Sequence, residues 1–556
     1  MLSVLLLVSG LVGCEKNKEN ETARTHMAIA ASGNIAASRF ADSSTCGECH
    51  SASARARALR DPVGATVAPF DLWRSSMMAN AARDPLWRAV VSAEVAATPS
   101  RKTEIEATCM RCHAPMATTS TLDALDEHTP AAGLTRDGVS CTVCHQILPE
   151  GLGDASSFTG GFRIGATQEI FGPHPDPRAK PMINRSGFTP VEGPHILRSA
   201  LCATCHTLIT DAVAADGRAI GVRFPEQTPY LEWQNSIFND EEEPGSDQAQ
   251  SCQSCHEPRT DEYGREIRTP IAHNPRGRDY RGLGERAVGR HVFVGGNTLI
   301  PAILRDNSQQ LAVAAPRDAF DETIRRARRQ LESATARLTI ESASRSGDEL
   351  EFAVVVENLT GHKFPTGFPS RRAWLHVTVR DENGKVVFSS GGFDDSGRIV
   401  ESHQEPLPSE GAGGPIEPHR AMIAEASQVQ IYEAIMGAPS GAPTWTLLRA
   451  SQYLKDNRLL PRGWSVNHPA AKLTRPAGVD ADDDFTAGRD NVHYRVSAVG
   501  FGPFRVEAEL LYEVIGVRFA EELFTNTTPE VAAFRKFYSA ASRTPVRVAS
   551  SRAQVQ

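Results

Sequence analysis

Ten of the eleven cysteines in this 556-residue chain fall into five Cys-x-x-Cys pairs, and a histidine follows each pair directly. The pairs are Cys46-Gly-Glu-Cys49-His50, Cys109-Met-Arg-Cys112-His113, Cys141-Thr-Val-Cys144-His145, Cys202-Ala-Thr-Cys205-His206 and Cys252-Gln-Ser-Cys255-His256. Two cysteines at this spacing can form thioethers to both vinyl groups of one haem, and the adjacent histidine then falls beneath the ring as a ligand to iron. A disulfide framework explains paired cysteines but not the histidines. With 17 histidines in the chain, five such placements by chance have a frequency on the order of 10⁻⁸. Zinc ribbons use the pairs two at a time and would leave the fifth alone. Thioredoxin-like motifs come singly, between a strand and a helix. The expectation is therefore five covalent haem c groups, with His50, His113, His145, His206 and His256 as proximal ligands.

The motifs are confined to the first half of the chain, and no cysteine follows His256. Hydrophobic content of 40% and a mean hydropathy of −0.32 describe a folded, water-compatible chain. A net charge of −8 argues against nucleic-acid binding. Met1 to Gly13 is short and apolar and ends in Leu11-Val12-Gly13-Cys14, followed by polar residues. It looks like a bacterial lipoprotein signal without its basic start, with Cys14 as the lipidated residue. The alternative is a secretory signal with an incidental cysteine. Either implies export, to the periplasmic side or outer surface of the envelope, and lipidation implies attachment to the outer membrane.

These features divide the chain into a signal over 1–14, a flexible tether over 15–42, a haem domain over 43–310, a linker helix over 311–338 and a β-rich domain over 339–550. The linker carries apolar residues at helical spacing, Phe320, Ile324, Ala327, Leu331 and Leu338. Beyond it, Leu350, Phe352, Val354 and Val356 alternate with polar residues, and Ala373–Val379 and Lys385–Phe388 flank a Glu382-Asn383-Gly384 turn. Tyr494–Ala498 and Phe504–Tyr512 read as a second hairpin, and Gln428–Met436 as a short helix. The fold class expected is α+β multidomain, a loop- and helix-rich pentahaem domain followed by an antiparallel β-sandwich-like domain. No metal cluster or catalytic pair stands out in the second half, and Asp480–Asp484 reads as a solvated turn.

Within the haem region, Phe70-Asp-Leu-Trp73-Arg-Ser-Ser76-Met77-Met78 precedes the second motif, and Tyr230-Leu-Glu-Trp233-Gln-Asn-Ser236-Ile-Phe238 precedes the fifth. Pro115 and Pro258 follow those two motifs closely. The matched placement predicts a repeated two-haem unit, with the third haem on the intervening Gly138-Val139-Ser140-Cys141.

The aromatic-x-x-Trp-x-x-Ser element, Gly138-Val139-Ser140 before a haem motif and Leu201 before Cys202 resemble the multihaem c-type cytochromes related to the tetrahaem cytochrome of ammonia oxidisers. In that family the tryptophan helix often ends in Ser-x-His, whose histidine is a distal ligand. Met77 and Met78 occupy that region in the first copy, and Ile237 and Phe238 in the second. Met78 is a candidate ligand that would raise its haem's potential; the alternative is a core methionine. Other distal candidates are His174, within Phe-Gly-Pro-His-Pro; His195, seven residues before Cys202; His291, which opens a His-Val-Phe-Val-Gly-Gly-Asn element similar to one recurring in these cytochromes; His362, in Thr-Gly-His-Lys-Phe-Pro-Thr-Gly, also similar to family members; and, more weakly, His273. The resemblance implies an electron carrier in a respiratory or extracytoplasmic chain, exchanging with other cytochromes or a quinol-linked donor. The rival reading is a reductase of nitrite, hydroxylamine or a similar small oxyanion on one five-coordinate haem. Nitrite reductases of this kind place lysine where all five motifs here keep histidine.

Overall fold

The computed structural model describes residues 39–117, 120–125, 130–242, 245–401, 404–497 and 503–556. The signal, Cys14 and most of the tether lie outside the described residues. Residues 39–42, expected at the end of the tether, are packed on the third motif. Gln146 Nε2 donates to the Arg39 carbonyl, Thr142 Oγ1 pairs with the backbone of Ala41, and Asp42 caps the helix Ser43–His50 that carries the first motif. The folded region therefore begins before residue 43.

Short helices and turns make up the haem region. Each motif sits at or within a helix that ends near its histidine or has just ended, as in Lys102–His113 and Cys252–His256. The longest helix of the region, Pro85–Ala97, begins where Asp84 accepts from the Leu86 amide and Pro85 fixes the first turn. Farther along, Arg317–Ala334 buries Phe320, Ala327 and Leu331 on one stripe. It ends earlier than the expected 338, because Ala336 onward is drawn into a strand.

Among the described residues of the second half, ten strands form two sheets, beside a two-stranded ribbon of Gly392–Phe393 and Ile399–Val400. The ten are β1 Ala336–Ser346, β2 Glu349–Asn358, β3 Arg372–Arg380, β4 Val386–Ser390, β5 Met422–Ile423, β6 Ile431–Gly437, β7 Gln452–Asp456, β8 Arg489–Ser497, β9 Phe504–Glu513 and β10 Val546–Val555. One sheet runs β7-β6-β3-β9-β10 with β4 also on β3; the other runs β5-β8-β2-β1. The pairings are antiparallel except for the short β5 on β8. The turn after Asp381 joins β3 to β4 as the pattern predicts, with Gly384 at φ +81. Two expectations fail. Residues 431–437 are a strand between β3 and β7, a mostly apolar run broken by Glu433 in which periodicity does not separate strand from helix. The last two alternating segments are not a hairpin: β8 pairs with β2, whereas β9 pairs with β3 and β10 in the other sheet.

A single apolar core crosses the expected domain boundary. Leu86, Ala89, Val90 and Ala93 of the haem region pack with Phe320, with Phe352 and Val354 of β2, and with Phe534 of the helix Pro529–Ala540. Among the described residues no helix is long and apolar enough to cross a membrane. The Asp480–Asp484 turn is less solvated than expected, since Asp482 accepts from His419 Nε2 at 2.8 Å, with Asp490 nearby. These three side chains could in principle hold a cation. However, Gln430 Oε1 and Asn457 Oδ1 each accept a backbone N–H, from Arg420 and Glu433, so both amide NH₂ groups face His419 Nδ1 at 2.8 and 3.0 Å. That places the imidazole proton on Nε2, and the cluster is a hydrogen-bonded network.

Glu94 ties the two halves together by accepting from the Leu447 and Leu448 amides, and its burial pushes its pKa up to about 7. A carboxyl raised in the folded state contributes stability below its unfolded pKa, near 4.5, that is lost as pH rises through 7. Glu94→Gln should therefore flatten the decline in melting temperature between pH 5 and pH 8, removing a contribution on the order of 2–3 kcal/mol. Equal slopes in the two proteins would contradict the assignment.

Candidate haem-binding cleft

All ten motif cysteines and all five motif histidines line one continuous cavity of about 1890 Å³. Single-ligand pockets are usually 300–1,000 Å³, so the cleft suits several large groups in contact. None of the ten cysteines is in a disulfide.

The motifs approach one another in an order that differs from their order in sequence. The thiols of Cys46 and Cys141, of Cys112 and Cys205, and of Cys202 and Cys252 lie close enough to shift each other's pKa. The third motif is also close to the fourth, where Cys205 raises the Cys144 thiol's pKa and Cys144 raises that of Cys202. Attachment points thus run first, third, fourth, fifth, with the second beside the fourth.

The histidines are prepared as metal ligands. Nδ1 of His50, His145 and His256 donates to the carbonyls of Ile271, Phe171 and Val294, at 3.0, 2.6 and 2.5 Å. A carbonyl only accepts, so the proton is on Nδ1 and Nε2 carries the free lone pair. Burial holds His50, His113 and His206 down to about pKa 4. They are therefore uncharged at neutral pH, as ligation requires. Trp87 stacks flat on His113, centroids 4.6 Å apart.

Two of the expected distal histidines face motif histidines. The rings of His145 and His291 are 6.3 Å apart with planes 16° from parallel, and those of His256 and His362 are 6.4 Å apart at 15°. Two metal–nitrogen bonds of about 2 Å and two ring radii of about 1.1 Å sum to about 6.2 Å, so each gap suits one metal with an imidazole on either side. His291 and His362 also donate Nδ1 to carbonyls, of Gly289 and Lys363, leaving Nε2 free. The residues present fit haem at this cleft.

The other candidates separate. His174 lines the cavity, and burial lowers its pKa, followed by Arg286 and Arg259. Met77 and Met78 line it too. His195 and His273 do not line it, and both hydrogen-bond to backbone carbonyls. His195 commits Nε2 to the Ile147 carbonyl, edge-on to Phe171. Both ring nitrogens of His273 sit 2.8 Å from carbonyls, those of Ser51 and Asn274, where it braces the chain after the first motif. Their sequence surroundings gave no sign that carbonyls would take these nitrogens.

The internal repeat is real but differently aligned. Trp73 Nε1 donates to Val139, two residues before Cys141, and Trp233 Nε1 donates to Gln250, two residues before Cys252; both bonds are 2.9 Å. A serine three residues before the leading cysteine reaches the partner segment in each copy, Ser43 to Asp137 and Ser199 to the Cys252 amide. The first and third motifs therefore match the fourth and fifth, and the second is the insertion. Gly138 has φ +62, and a side chain there would meet the Met78 carbonyl at 2.5 Å, so the tryptophan segment lies directly on it. Trp73→Phe and Trp233→Phe should each cost about 0.5–1.5 kcal/mol by removing a part-buried hydrogen bond. Denaturant titration measures this, and an unchanged midpoint in both would contradict the shared role.

A family model described as cytochrome c554 and c-prime matches residues 45–146, the segment holding the first three motifs. No curated protein matches the chain. Among solved structures, the fold is similar to that of a penta-heme cytochrome c552 from Thermochromatium tepidum, with a TM-score of 0.51 at 16% identity, covering 92% of this chain and 98% of that one.

Proposed function

We propose that this chain, a member of a multihaem c-type cytochrome family, is an exported electron carrier holding five haems in a respiratory or extracytoplasmic redox chain. Bound haem supplies one-electron redox chemistry, whose potential follows from axial ligands, burial and hydrogen bonding. The observation that carries the reading is the two pairs of opposed imidazoles, His145 with His291 and His256 with His362, which suit saturated coordination at two of the five irons.

In this reading the chain's own groups act in three ways. The cysteine pairs fix five attachment points in the order first, third, fourth, fifth, with the second as a branch beside the fourth. Carbonyls of Ile271, Phe171 and Val294 hold the proximal imidazoles with Nε2 inward. The second half of the chain supplies His362, so it takes part in ligation as well as covering the cleft. Of the ligand candidates, His174, Met77 and Met78 also line the cavity and are available to the remaining three irons. Redox proteins are the partners, and the signal-like segment ending at Cys14 supports a lipid anchor to the outer membrane.

Pyridine haemochrome assay should count five haems per chain, and changing both cysteines of any one motif to serine should leave four. In the oxidised protein, electron paramagnetic resonance should show the third and fifth haems low-spin, and His291→Ala and His362→Ala should each convert one haem to high-spin. Neither variant changing the spectrum would overturn the ligand assignment. A wild-type high-spin signal that shifts with nitrite or hydroxylamine would replace the carrier reading with the reductase one.

A further inference from the structure

His362 lies on the β2–β3 connection, in the half of the chain without attachment motifs, so something must set its reach toward His256. The connection is held at its ends by Asn358, whose Nδ2 donates to the His362 carbonyl at 2.8 Å, and by reciprocal backbone bonds between Phe364 and Leu459. Between them the decisive partner is Glu232, from the helix Pro229–Gln234 of the haem region. Glu232 is fully buried. Its Oε2 accepts from the Lys363 amide at 3.1 Å and from Thr366 Oγ1 at 2.5 Å. Its Oε1 accepts from Thr228 Oγ1 at 3.5 Å and lies 3.4 Å from Arg458 Nη1.

The carboxylate belongs to a four-charge network. Lys363 Nζ is 2.6 Å from Asp456 Oδ2, and Arg458 grips the same carboxylate at 2.7 and 2.8 Å. All four side chains are buried, and two negative groups balance two positive ones. Burying four charges costs more than an apolar contact of the same size would, and removing one partner from such a set leaves an uncompensated charge. Shape holds the same junction, since a side chain on Gly361 would meet Trp233 Cδ1 at 3.1 Å. The tryptophan helix thus meets the ligand loop twice, through Trp233 and through Glu232.

We infer that Glu232 is a positioning residue for the fifth haem: it fastens the His362 loop to the haem region and so sets how the distal imidazole meets the iron. The inference rests on the assignment of His362 to the His256 iron. An amide cannot replace the carboxylate: with its oxygen turned to accept from the Lys363 amide and the Thr366 hydroxyl, its NH₂ points at the Arg458 guanidinium, and the lost charge leaves Arg458 and Lys363 facing Asp456 alone.

The test compares the oxidised resonance spectra and redox titrations of haem-loaded wild type, Glu232→Gln, Thr366→Val and His362→Ala. Glu232→Gln should shift or convert to high-spin the one signal that His362→Ala abolishes, move one midpoint potential, and leave the other four haems as in wild type. Thr366→Val keeps all four charges and should move the same signal less, which preserves the test if Glu232→Gln fails to fold. If His362→Ala changes one signal and neither other variant touches it, the positioning role is wrong while the ligand assignment stands. If His362→Ala changes nothing, the ligand assignment and this inference fall together.

Discussion

The structure depends on one repeated hydrogen bond, imidazole Nδ1–H to a backbone carbonyl. It holds His50, His145 and His256 after their motifs and His291 and His362 opposite them. A histidine carried only by its own side chain rotates and can present either nitrogen. Once Nδ1 is tied to the backbone, the ring plane and the lone pair are both fixed. For the motif histidines the carbonyls come from other segments, Ile271 for His50, Phe171 for His145 and Val294 for His256, so their orientation depends on the tertiary fold, whereas His291 and His362 use carbonyls one or two residues away. The loops after the fifth motif therefore have a defined task even though they carry no cysteine.

The two halves of the chain are one body in the same physical sense. The core runs from Leu86 and Val90 through Phe320 into β2, Glu94 is bonded to the Leu447 and Leu448 amides, and Glu232 is bonded to Lys363 and Thr366. Buried carboxylates at such junctions fix a unique register that apolar contacts alone leave looser. The β-half is accordingly a structural partner of the cleft, and its sheets give His362 a rigid mount.

The attachment motifs are legible in sequence, because Cys-x-x-Cys-His is a local signal that needs no fold to interpret, and the fold adds that all five reach one cleft. His291 and His362 are legible too as ligand candidates, although not the irons they face, since that depends on which segments meet. His195 and His273 read as ligand candidates from their neighbours alone. Each has a plausible setting, and each is taken by a carbonyl that only the folded chain brings near. The repeat was visible through Trp73 and Trp233, but linear order aligned it on the second motif, whereas the indole bonds align it on the third. In the second half the alternation of β2 was readable, while the mostly apolar run at 431–437 gave no period and the partners of β8 and β9 lay in different sheets.

The central claim is that His291 and His362 complete the coordination of the third and fifth irons. An experimental structure of the haem-loaded protein, at a resolution that separates axial ligands, tests it most directly. Nε2 of His145 and His291 should lie on opposite sides of one iron, and Nε2 of His256 and His362 on opposite sides of another. A different side chain, a water molecule or no ligand at either distal position would contradict the account.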